Sequence, residues 1–152
     1  MTRKIKIEGI KELSKKLAEM PQKVQKSALR RAAKEASDLV VKAAESNIPK
    51  GIDPHVTYKN RLVYPGFASR NIKAILKVSS DLSRVWARIG VSKEAFYAVN
   101  FVELGTSKQA AQPWLRPALQ SVEAKAIEIF AKKFKNAIRA ATRRSKKRSK
   151  DK

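Results

Sequence analysis

Lysine and arginine supply most of the reactive side chains in this chain: 35 of them stand against 13 aspartates and glutamates, a formal charge of +22 over 152 residues. The chemistry they offer is electrostatic capture of polyanions, with DNA or RNA as the first candidates. Residues 143–152 hold seven basic residues and one acid, or +6, which leaves +16 on residues 1–142. The folded part is therefore itself cationic. The tail has seven like charges and no apolar residue, so its composition predicts disorder. Arg143, Arg144, Lys146, Lys147, Arg148 and Lys150 are the candidates there for facing DNA. The competing reading of all these charges is a solvated surface.

Catalytic chemistry has little to work with. His55 is the single histidine, flanked by Pro54 and Val56, and there is no cysteine, so neither a metal set nor a disulfide framework can be assembled from these types. The carboxylates are scattered, and Glu123 and Glu128, five apart, do not share a helical face. No Walker, dinucleotide-binding or nucleophile-elbow motif occurs among the five glycines. The expectation is a non-enzyme without cofactor or metal; a toxin or nuclease reading finds no catalytic constellation. Glu103 stands out because it lies among apolar residues, and a buried charge needs a partner. Pairing with an arginine such as Arg116 would lock the Gly105 turn to the following helix; the alternative is a solvent-facing position.

The elements that must hold these residues can be read from periodicity. Residues 4–8, KIKIE, alternate like a short strand ended by Gly9. Ile10, Leu13, Leu17 and Met20 are spaced as a helical stripe, broken at Pro21. Residues 22–47 read as a long helix with an alanine-rich face, ended by the breakers at 47–51. Residues 51–69 read as a long loop, in which Tyr58, Tyr64 and Phe67 are interleaved with Lys59, Arg61 and Arg70. Such aromatics either stack on bases or seat the loop on a neighbouring subunit, and the second reading is favoured. Residues 71–79 and 84–91 alternate as two strands of a hairpin. Residues 93–104 suit a short helix or turn followed by an extended piece, then a turn at 105–107. A last helix begins between Pro113 and Pro117 and runs to Ala141. The whole reads as one domain over 1–142 followed by a disordered basic tail over 143–152. The N-terminus lacks an apolar signal core and no run spans a membrane; the absence of cysteine fits a reducing cytosol.

One stretch carries more than periodicity. Residues 97–119 read YAVNFVELGTSKQAAQPWLRPAL. An aromatic run, a Gly-Thr turn, a polar loop and a Pro-Trp-Leu-Arg-Pro helix entry follow in that order. This resembles the signature of the tail-completion proteins of long-tailed, lambda-like bacteriophages, matched here by Tyr97, Ala98, Phe101, Val102, Glu103, Gly105, Thr106, Pro113, Trp114, Leu115, Arg116, Pro117, Ala118 and Leu119. The opening is similar too, at Gly9, Ile10, Glu12, Leu13 and Leu17. The departure lies at residues 65–72, PGFASRNI, where the family has a TGRLR.SI element and only Gly66, Ser69 or Arg70, and Ile72 compare.

The resemblance, over about residues 5–140, implies an α+β fold in which a small, mostly antiparallel sheet packs against a long helix of the N-terminal half and a long C-terminal helix. It implies a structural virion protein of the neck, made in the host cytoplasm and forming a ring, hexameric to match tail symmetry, that completes the tail and joins it to the DNA-filled head. Partners would be the tail tube or terminator, the head connector and genomic DNA in the channel, with no membrane. Phe101, Val102, Gly105 and Thr106 would shape the turn, and Trp114, Leu115, Arg116 and Pro117 would anchor the last helix. Core packing explains Phe101 and Leu115 equally well, whereas Trp114 and Arg116 are the residue types that dominate interfaces. The competing function is a stand-alone basic nucleic-acid-binding protein.

Overall fold

Proline sets the first boundary. Pro21 cannot extend the helix before it, and its carbonyl accepts from the Val24 and Gln25 amides at 2.8 and 3.1 Å, opening the next one. The computed structural model describes residues 10–56 and 59–150. The strand expected at 4–8 and the side chain of Tyr58 lie outside them. In order the elements are α1 (Ile10–Ala18), α2 (Gln22–Asn47), β1 (His55–Val56), β2 (Leu62–Val63), α3 (Phe67–Arg70), β3 (Ile72–Val78), β4 (Val85–Val91), α4 (Lys93–Leu104) and α5 (Leu115–Lys150). The fold class is α+β, with long helices in both halves and two small two-stranded antiparallel sheets, β1-β2 and β3-β4. Among the described residues no helix is long and apolar enough to cross a membrane.

The described residues divide into two compact units, each drawing on distant parts of the chain: Met1–Ala36, Leu76–Ala87 and Ala124–Lys152 in the first, Ser37–Ile75 and Arg88–Glu123 in the second. The first unit is centred on Leu17, Ala28 and Ile138, with Met20, Phe134 and Ala137 packed around them. Phe130 and Phe134 stack at 5.8 Å, and Lys133 pairs with Glu35 at 3.2 Å, so α2 and α5 lie side by side here. The β3-β4 turn is closed by the Ser79 amide on the Arg84 carbonyl (3.0 Å) and the Arg84 amide on the Ser79 Oγ (2.9 Å). Within it the Ser79 and Ser83 hydroxyls hold the Asp81 carboxyl well below the usual range, down to about 2. Ser83 Oγ donates to Asp81 at 2.6 Å.

The second unit is built on Ala44, Ile48, Ile72, Ala95, Val99, Trp114 and Ala118. Two expectations are corrected here. Residues 51–69 are not a structureless loop: β1 pairs antiparallel with β2, His55 opposite Val63 and Val56 opposite Leu62, and α3 follows. The turn tolerates this because Asn60 takes the left-handed conformation (φ 56°), which asparagine adopts readily, and buried Val63 anchors the ribbon. Residues 93–104 form one continuous helix rather than a helix followed by an extended piece. Ala95, Val99 and Val102 face inward at spacings of four and three, whereas Phe96 and Phe101 are exposed.

α5 starts at Leu115, between the two prolines as expected. It continues to Lys150, through residues for which charge argues disorder. No proline or glycine follows Pro117, Ala, Arg and Lys are strong helix formers, and cations near a helix C-terminus complement its dipole.

Candidate interface site

The site grows from one glycine. Gly105 ends α4 with φ 75° and ψ 175°, its amide donating to the Phe101 carbonyl at 2.8 Å. A Cβ there would sit 2.8 Å from the Ala111 nitrogen and 3.0 Å from the Gln109 carbonyl oxygen, so no other residue fits without movement. The chain then folds into a tight reversal. The Thr106 amide donates to the Gln109 carbonyl at 2.8 Å, and the Gln112 amide returns to the Val102 carbonyl at 2.7 Å.

Glu103 closes the corner. Its Oε2 accepts from the Trp114 amide at 2.6 Å and the Leu115 amide at 3.1 Å. The first amides of a helix have no partners within it, and an anion at that end complements the dipole. A carboxylate eleven residues upstream thus caps α5. Glu103 locks the turn to the helix entry, as the sequence suggested, but through backbone amides rather than Arg116, which is exposed.

Trp114 is corrected from interface to core: it is 3% exposed and packed in the cluster containing Ala44 and Ala118, whose small side chains leave room for the ring. Its Nε1–H is buried without a hydrogen-bond partner. Leu115 is half-buried against the same core, and Val102 is half-buried too. Thr106, Pro113, Arg116 and Pro117 are exposed, and Phe101 is 50% exposed.

Around the corner lies an apolar surface that sequence reading largely missed. Phe96, Phe101 and Leu104 project from α4 at 52%, 50% and 68% exposure. On the helix Leu104 lies between Phe96 and Phe101, which are about 140° apart. Beside α4 is a cleft of about 410 Å³ whose walls include Ile48, Val56, Tyr64, Phe67, Val99 and Val102. Its charged lining is acidic, Asp53 and Glu94, with His55 alongside. Glu94 pairs with Arg61 at 3.0 Å, and Arg61 lies 5.9 Å from the Phe67 ring centroid. Of the aromatics in the expected loop, Tyr64 is exposed and Phe67 is half-buried against the second unit's core.

Of the candidate DNA-facing residues, Arg143 and Arg144 are exposed on α5; Lys146, Lys147, Arg148 and Lys150 lie on the same helix, their side chains outside the described set. Among the described residues no group of three or more His, Asp or Glu side chains is placed to hold a metal ion. Compared with protein-family models, curated proteins and solved structures, the chain matches none.

Proposed function

We propose that this protein is a structural subunit of a phage neck or tail, one that assembles into a ring, completes the tail and joins it to the DNA-filled head. The observation that carries the reading is the α4–α5 corner. The residues that resemble the tail-completion signature build a rigid support, Gly105 and Glu103 fixing the backbone, and that support holds Phe96, Phe101 and Leu104 out into solvent. Three large apolar side chains held exposed on one helix are material for a surface that another protein covers. Neighbouring subunits and the tail and connector proteins are the intended cover. No turnover is involved.

The test is electron microscopy of lysates from a phage lacking the gene. Filled heads accompanied by separate or aberrant tails are the expected result, and normal infectious particles would refute the assignment. The second reading, a stand-alone nucleic-acid-binding protein, is favoured by the first unit, whose described residues carry 21 basic against 5 acidic side chains, a net of +16.

A further inference from the structure

The charge of the first unit is organised as well as large. On α5, Lys132, Lys135, Arg139 and Arg143 follow one another at spacings of three, four and four. At 3.6 residues per turn they fall within an arc of about 80° and form a line about 17 Å long. All four are exposed. Another side of the helix carries Phe134 and Ile138, which pack into the first unit's core. The sequence continues the same spacing to Lys146 and Lys150. A second line, Lys23, Lys26 and Arg30, is exposed on the adjoining part of α2.

A solvated helix face ordinarily mixes both signs of charge. This one does not: no aspartate or glutamate occurs between residues 129 and 150, and Glu128 ends the line. Like charges four apart on a helix repel and destabilise it. Lys135 with Arg139, and Arg139 with Arg143, are two such pairs. The arrangement carries a stability cost that a bound anion would relieve.

We propose that the ridge formed by Lys132, Lys135, Arg139 and Arg143 is a binding site for the phosphate backbone of a duplex nucleic acid. A straight row of cations along one helix suits a straight, dense row of anions. Duplex DNA presents one charge per about 1.7 Å of axis, whereas an acidic peptide is flexible and less densely charged. The contact reads no sequence, because Lys and Arg on phosphate position a protein without specifying bases. The site stands whether or not the chain is a phage subunit.

The experiment titrates the full-length protein into a fluorescent 20-base-pair duplex across a series of salt concentrations. One variant carries Lys132→Gln, Lys135→Gln, Arg139→Gln and Arg143→Gln. A control loses the same charge from the second unit through Lys50→Gln, Lys73→Gln, Lys93→Gln and Lys108→Gln, all exposed. Each phosphate contact adds about 0.9 to the slope of log affinity against log salt. The ridge variant should lose about 3 to 4 from that slope and the control almost nothing. A double variant, Lys132→Gln with Lys135→Gln, should lose about 2 by the same count, and serves if the fourfold change disturbs folding. Equal losses in the ridge and control variants, or a wild-type slope in the ridge variants, would overturn the site. So would displacement of the duplex by poly-glutamate at equal charge concentration. Parallel titrations with DNA and RNA duplexes identify the source: tighter binding to one names it, and both results keep the ridge.

Discussion

The two units of this protein differ in the chemistry of their surfaces. The described part of the first carries a net +16 and, among the large exposed hydrophobics, Trp86; the described part of the second carries 10 basic against 6 acidic residues, a net of +4, together with Ile52, Tyr64, Phe96, Phe101, Leu104 and others. Electrostatic attraction is long-ranged, salt-sensitive and tolerant of geometry, while apolar contact is short-ranged and demands shape. On the proposed reading the first unit would meet a charged polymer and the second would dock a protein. The rigid corner belongs to the second unit, where fit matters.

The sharpest way to break this contrast is to empty the second core. Trp114→Ala should cost about 3–5 kcal/mol, as for other large aromatic deletions, read by denaturant unfolding; a loss under about 1 kcal/mol would mean Trp114 does not hold the core. Gly105→Ala should cost about 2–3 kcal/mol, from a left-handed backbone and the contact with Ala111, and a thermal melt checks it. Glu103→Gln keeps the shape of the cap but removes its charge and should cost about 1–2 kcal/mol. The double change Phe101→Ser and Leu104→Ser should alter stability by no more than about 0.5 kcal/mol while weakening self-association measured by sedimentation. Unchanged association would remove α4 from the docking surface.

The smallest effect concerns the first unit's turn. The folded pKa of Asp81 is depressed from 3.8 to about 2. The sign follows: its contribution is fully present above about pH 4 and is lost as pH falls through 2. The stability difference between wild type and Asp81→Asn should therefore shrink over that window, and a constant difference would show that the carboxylate charge is not responsible.

What the sequence made legible was whatever repeats. The alanine stripe of α2, the alternation of β3 and the proline pair before α5 each state an element through spacing. β1 and β2, two residues each, are too short to have a period. α4 misled because its aromatic and β-branched content suits a strand, whereas Phe96 and Phe101 are exposed on one continuous helix. Trp114 misled for the complementary reason: composition alone cannot separate a core tryptophan from an interface one. Glu103 was singled out correctly, but its partners are backbone amides, which every residue carries and no sequence pattern advertises. The continuation of α5 to Lys150 turns on helix propensity winning where charge counting argued the reverse.

The Glu103 cap also bears on the order in which the protein folds. Its bonds to Trp114 and Leu115 close loops of 11 and 12 residues, whereas the bond from Asn47 to the Trp114 carbonyl closes one of 67. Short closures cost less chain entropy and are reached sooner. The α4–α5 corner is thus equipped to act as a nucleus, onto which α2 condenses later. Glu103→Gln should then slow refolding more than it speeds unfolding, so that the α4–α5 corner would be the first piece of chain to become native.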